Sequence, residues 1–167
     1  MKGEEAMKKL VSVIVAMFVF LGFISKVKAQ DEQITFKNYS IYEQGVKRID
    51  NAGTTYKEVV TSEGIKIAYC FNKKLSAPPF DSKLDRVSDP SGILPNVEKT
   101  NQYLYILDNG YGGNWNASVI GNYNFNKYEQ YYVTQLALWM AQGELNPTTI
   151  KSTGNIGTAA YNLYNAS

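Results

Sequence analysis

A helix with almost no solvent face must be walled in by the rest of its chain, and Asn126 to Glu144 reads as such a helix. Tyr128, Tyr132, Gln135 and Trp139 fall at i, i+4, i+7 and i+11, which is one helical face. Val133, Leu136, Ala137 and Met140 make most of the remaining circumference apolar. Asn124 or Asn126 supplies an N-cap and Glu129 a favourable charge in the first turns. Gly143 and Pro147 mark the end. A segment of this kind predicts a deeply buried element around which other elements are arranged.

Upstream of it the periodicity changes. Ile34, Phe36 and Tyr39 alternate with polar residues, Thr54 to Val60 is β-rich, and Ile65-Lys66-Ile67-Ala68-Tyr69-Cys70 again has period two. Gly45, Asn51-Ala52-Gly53 and Ser62-Glu63-Gly64 punctuate these runs as turns. In the third run Ile65, Ile67 and Tyr69 alternate with Lys66, Ala68 and Cys70, which reads as a half-buried strand. Lys73 to Pro95 reads as irregular, because Pro78, Pro79, Pro90 and Pro95 forbid long regular structure. Asn101 to Leu107 favours a helix from its i, i+3, i+4 spacing, Asp108 to Asn114 reads as a glycine-rich turn without the acidic spacing of a calcium loop, and Gly157 to Ala166 reads as a second helix. Strands first and helices later predict an α+β fold, a small antiparallel sheet or partial barrel packed against helices.

The N-terminus bears on compartment. Lys8 and Lys9 precede an apolar run from Leu10 to Ile24, and Val27-Lys28-Ala29 is a small-residue cleavage site. Residues 1–29 are read as a secretory signal peptide and 30–167 as the mature domain. Residues 1–29 hold five lysines and two glutamates, a net of +3 against +2 for the chain, so residues 30–167 carry −1. That balance offers no nucleic-acid footprint. Membrane contact is expected only through the signal peptide during export. Asn38, Asn116 and Asn165 each begin an Asn-x-Ser triplet.

Two counts restrict the chemistry. The chain has no histidine, which removes the usual base for a Cys or Ser nucleophile and a common zinc ligand. It has one cysteine, Cys70, at the end of the third β-run and flanked by Tyr69 and Phe71. A lone cysteine in an exported chain forms no internal disulfide. It is either a small packed hydrophobe or a thiol kept for reaction.

Tyr69-Cys70-Phe71-Asn72, followed on a helix by Thr134-Gln135-Leu136-Ala137-Leu138-Trp139, resembles the thioester domain of Gram-positive surface adhesins. The family pattern is an aromatic-Cys-apolar-polar motif and, downstream, a Thr-Gln-x-Ala-apolar-Trp helix; Leu138 stands where the family prefers Ile or Val. The resemblance covers roughly residues 34–167. It implies that Cys70 bonds to a glutamine carboxamide and expels ammonia. The resulting internal thioester couples to an amine, such as a lysine on a host surface or matrix protein. It implies no cofactor, no metal and no turnover: a self-reacting, single-use covalent adhesin, held at the cell wall by regions outside this chain. Tyr69, Phe71, Asn72, Thr134, Gln135, Ala137 and Trp139 take supporting roles.

The family's bonding glutamine lies in an apolar-Gln-polar-apolar-apolar segment after the helix, and Gln102, Gln130 and Gln142 do not fit it. The thioester partner is therefore expected beyond Ser167, in a domain incomplete at its C-terminal end, with Gln135 as the alternative. Two rival functions stand beside this one. The first is a non-covalent extracellular binding module that uses its thirteen tyrosines and leaves Cys70 inert. The second, a cysteine transferase or protease, is disfavoured by the missing histidine.

Overall fold

The computed structural model describes residues 34–84 and 97–167. The signal-peptide reading of residues 1–29 lies outside them, as does the part of the proline-rich stretch from 85 to 95. The described chain is α+β. Its residues fall into two compact units, one made of 34–38, 57–69 and 77–84, the other of 39–56, 70–76 and 97–167.

The first unit is built on a four-stranded open sheet in the order β3-β2-β1-β4. Its strands are β1 (Ile34–Ser40), β2 (Thr55–Thr61), β3 (Gly64–Ala68) and β4 (Lys83–Leu84). β2 and β3 form an antiparallel hairpin with Lys57 opposite Ala68 and Thr61 opposite Gly64. Thr61 Oγ1 ties the tight turn, accepting from Glu63 N–H at 3.1 Å and donating to the Gly64 carbonyl at 3.0 Å. One face of the sheet gathers a small core of Ile34, Phe36, Val59, Ala68 and Leu84.

Three sequence readings change here. The third β-run stops at Ala68, so Tyr69 and Cys70 lie past the ladder. Its covered residue is Ala68, while Ile65 is 63% exposed. The hairpin register decides this, because period two allows only one parity of the strand to face the core. The third change is β4, inside the stretch read as irregular. It pairs antiparallel with β1, Leu84 opposite Ile34. The pairing continues into a turn, where Phe36 N–H donates to the Ser82 carbonyl and Asp81 N–H to the Phe36 carbonyl, each at 2.9 Å. The partner strand imposes β structure that a two-residue segment does not encode alone.

The second unit carries five helices: α1 (Thr100–Asn109), α2 (Ala117–Ile120), α3 (Lys127–Gln142), α4 (Pro147–Lys151) and α5 (Asn155–Asn165). α3 is the expected central helix. Asn126 caps it through a full capping box, its side chain accepting from Tyr128 and Glu129 N–H while Glu129 accepts from Asn126 N–H. Gly143 closes it, donating its N–H to the Met140 and Trp139 carbonyls. Every residue from Tyr131 to Ala141 is buried. α1 and α5 supply the walls, and α5 in turn packs on α2 and α4. Pro147, read as a terminator of α3, instead opens α4 at its first turn behind the Asn146 cap. Its missing N–H costs nothing at that position.

Candidate functional site

Cys70 leaves the sheet with a backbone N–H and C=O that no strand pairs. A side chain does the pairing in place of a strand. Gln135 Oε1 accepts from the Cys70 N–H at 2.7 Å, and Gln135 Nε2 donates to the Cys70 carbonyl at 2.8 Å. A primary amide has one acceptor and one donor side, so it fits a single residue's main chain as a neighbouring strand would. Gln135 is fully buried in the middle of α3. The main chain at position 70 is thus fixed to the most enclosed helix of the unit, across 65 residues of sequence.

The thiol itself points elsewhere. Cys70 is half-buried and in no disulfide. Its Sγ donates to the Asn72 carbonyl at 3.0 Å. Asn72 makes a tight turn: its side-chain oxygen accepts from Lys74 N–H at 3.0 Å and its carbonyl also receives Leu75 N–H at 3.2 Å. Glu144, just past the end of α3, accepts from Lys73 N–H at 2.7 Å. The chain at Cys70 and just after it is therefore anchored to α3 and its C-terminal extension.

The remaining predicted residues distribute as follows. Phe71 is buried and meets the Tyr103 ring edge-on, centroids 5.3 Å apart. Tyr69 is buried at the end of the sheet unit. Thr134, Ala137 and Trp139 are buried on α3. Thr134 holds a different loop. Its Oγ1 accepts from Tyr111 N–H at 2.9 Å and donates to the Gln130 carbonyl at 3.1 Å. Gly110 lies so close that a Cβ there would collide with the Thr134 side chain. The Thr-Gln pair thus grips two separate segments, Thr134 the turn after α1 and Gln135 the main chain of Cys70.

Three side chains near this frame, of which only Trp139 belongs to the motifs, bury polar atoms that the motifs do not account for. Tyr103 Oη, Trp139 Nε1 and both amide atoms of Gln142 are buried with no hydrogen-bond partner among the described residues. Gln135, Trp139 and Gln142 follow one stripe of α3 at i, i+4 and i+7. Burial, helped by the negative charge of Glu144, raises the Tyr103 pKa, so its hydroxyl stays protonated and able to donate. No group of three or more acidic, cysteine or histidine side chains able to hold a metal occurs among the described residues.

The fold and this frame define a class first: an α+β domain in which a lone thiol sits on a main chain clamped by a buried glutamine. The family follows from the match of residues 67–166 to the thioester-domain family, a span containing both Cys70 and the Thr134–Trp139 helix. The chain belongs to the thioester-domain family. Domains of this family are typically surface-associated and bind partner proteins covalently. No curated protein and no solved structure gives a significant match. No helix among the described residues is long and apolar enough to cross a membrane.

Proposed function

We propose that this protein is an exported surface adhesin whose Cys70 forms an internal thioester and then couples to a lysine amine on a host protein. The observation that carries the reading is the clamp: the family's cysteine is held through its main chain, by atoms that take no part in the thiol's chemistry. In the first step the Cys70 S–H adds to a glutamine carboxamide; the C–N bond breaks, ammonia leaves, and an S–C(=O) bond remains. An amide is a poor electrophile. The reaction therefore depends on fixed geometry, which for well-oriented intramolecular pairs supplies effective molarities of about 10⁵–10⁸ M. In the second step an amine attacks the acyl carbon, a permanent amide forms, and the thiol is released. No cofactor enters and no site is regenerated.

The acyl donor in this reading is a glutamine C-terminal to residue 167, in the family's apolar-Gln-polar-apolar-apolar segment. Gln135 is a poor donor because both ends of its carboxamide are spent on the Cys70 main chain. Gln130 is engaged as well, donating to the Phe125 carbonyl at 3.2 Å. The unspent polar groups of Tyr103, Trp139 and Gln142 offer partners to an arriving segment.

Accurate intact mass with methylamine challenge tests the proposal. Residues 30–167 alone keep a free thiol that alkylates. A longer protein carrying the donor segment is lighter by one ammonia, takes up methylamine, and loses both properties in Cys70→Ala. Ammonia loss already present in residues 30–167 makes Gln135 the donor. A free thiol in both forms leaves Cys70 a packed side chain and the non-covalent binding module as the better reading.

A further inference from the structure

The connection from α1 to α3 has a composition unlike the rest of the chain. From Asn109 to Asn126 no residue is charged, and asparagine, glycine and aromatics dominate. Three of its rings form one cluster. Tyr123 stacks on Phe125 with centroids 5.0 Å apart, and Trp115 meets Phe125 edge-on at 6.4 Å. All three are half-buried, so each keeps part of its surface toward solvent.

The cluster is held in place from below. Asn114 N–H donates to the Asp108 carbonyl at 2.7 Å, and Asn116 N–H to the Asn109 carbonyl at 3.0 Å. The Asn116 and Asn109 side chains bond to each other at 2.9 Å. Gly121, at φ +113°, leaves the space that the Tyr123 ring occupies; a Cβ there would strike it. These contacts fix the rings before any ligand arrives, which removes ordering cost from binding.

Next to these rings in the sequence stand polar groups without protein partners among the described residues. Asn114, Asn122 and Asn124 are exposed, and their side-chain amides bond to nothing among the described residues. The Trp115 indole N–H and the Tyr123 hydroxyl are likewise unspent. A sugar ring has an apolar C–H face and a rim of hydroxyls that donate and accept at once. Aromatic faces match the first. Carboxamides, with donor and acceptor on one group, match the second. An anionic ligand finds no countercharge on this segment.

We infer that residues 110–126 bind a neutral oligosaccharide, with a pyranose ring on Trp115 and its hydroxyls on Asn114, Asn122 and Asn124. The site does not depend on Cys70. The same chemistry occurs on glycoproteins and in free polysaccharides, so the probes separate them: neutral N-acetyllactosamine tetrasaccharide for the first, chitohexaose and cellohexaose for the second. The sialylated form of the tetrasaccharide serves as the charged control.

Isothermal titration of the whole exported protein, with Trp fluorescence in parallel, decides the matter. At least one neutral probe binds, and the sialylated form binds no more tightly than its neutral parent. Trp115→Ala weakens binding at least tenfold, about 1.4 kcal/mol, whereas Trp115→Phe keeps most of it. Asn122→Ala together with Asn124→Ala weakens it similarly without a change in melting temperature, and this exposed pair decides if Trp115→Ala does not fold. Cys70→Ala binds as the parent does. No binding of any neutral probe overturns the inference. So does binding that survives Trp115→Ala in a folded protein, preference for the sialylated probe, or capture of an unglycosylated protein through the same residues.

Discussion

Each of the two units of this molecule is knit internally by a different kind of bond. The sheet unit relies on backbone ladders and a five-residue apolar core, and its hairpin leaves Ile65 63% exposed. The helical unit holds α3, buried from Tyr131 to Ala141, and adds side-chain hydrogen bonds that reach far along the chain. Tyr132 Oη, for example, accepts from Ile49 N–H at 3.2 Å and donates to the Ala52 carbonyl at 2.7 Å. Thr134 and Gln135 act in the same way on Tyr111 and Cys70. In one unit elements pair with elements; in the other a central helix reaches out to hold loops. A reactive position benefits from the second arrangement. A loop held by buried side chains has its place set by the core, whatever its own sequence prefers.

Substitutions along α3 give the sharpest tests of this contrast. Trp139→Ala removes a large buried ring and costs about 3–5 kcal/mol in chemical denaturation. A melt like that of the parent would break the comparison at its strongest point. Tyr132→Phe strands the Ile49 N–H, and the expected loss is about 1–3 kcal/mol. This residue also carries a pH signature. Burial raises its pKa well above the ordinary tyrosine value, with the Ile49 hydrogen bond opposing. The native state therefore keeps a proton that the unfolded chain releases. Its contribution is complete below about pH 10 and declines as pH rises from there. The fall of stability with pH in that alkaline range is expected to be flatter in Tyr132→Phe, as read from denaturation midpoints.

Gln135→Met keeps the bulk but leaves the Cys70 N–H and carbonyl unpaired, for a loss of about 1–3 kcal/mol. In a protein with its donor segment, methylamine uptake falls as well; unchanged uptake would reduce the clamp to packing. Asn126→Ala removes the helix cap and costs about 1 kcal/mol. Ile65→Thr, on the open face of the hairpin, shifts stability by less than about 0.5 kcal/mol. A larger effect would show that this face is covered.

Much of the helical unit was legible because its signals are local and redundant. Asn126, Glu129 and Gly143 bracket α3 by their own chemistry, and an apolar circumference announces burial. The Cys70 and Thr134–Trp139 motifs were readable for the same reason, and their family assignment stands on the matched span. What escaped depends on partners. β4 is a strand only because β1 lies beside it. The parity of β3 comes from its register with β2, not from the apolarity of Ile65 and Ile67. The role of Glu144 at Lys73, and the unmet polar groups of Tyr103 and Gln142, follow from three-dimensional proximity that no spacing rule encodes.

The grip of Gln135 on residue 70 has one more consequence. It touches only atoms that every amino acid except proline possesses, and none that takes part in bond making. A change at the sulfur does not alter the atoms that are gripped, because they belong to the main chain. If the proposed thioester forms, a probe that reports only the main-chain fold around residue 70 would therefore not register it. A thiol reagent or an accurate mass reads that difference directly.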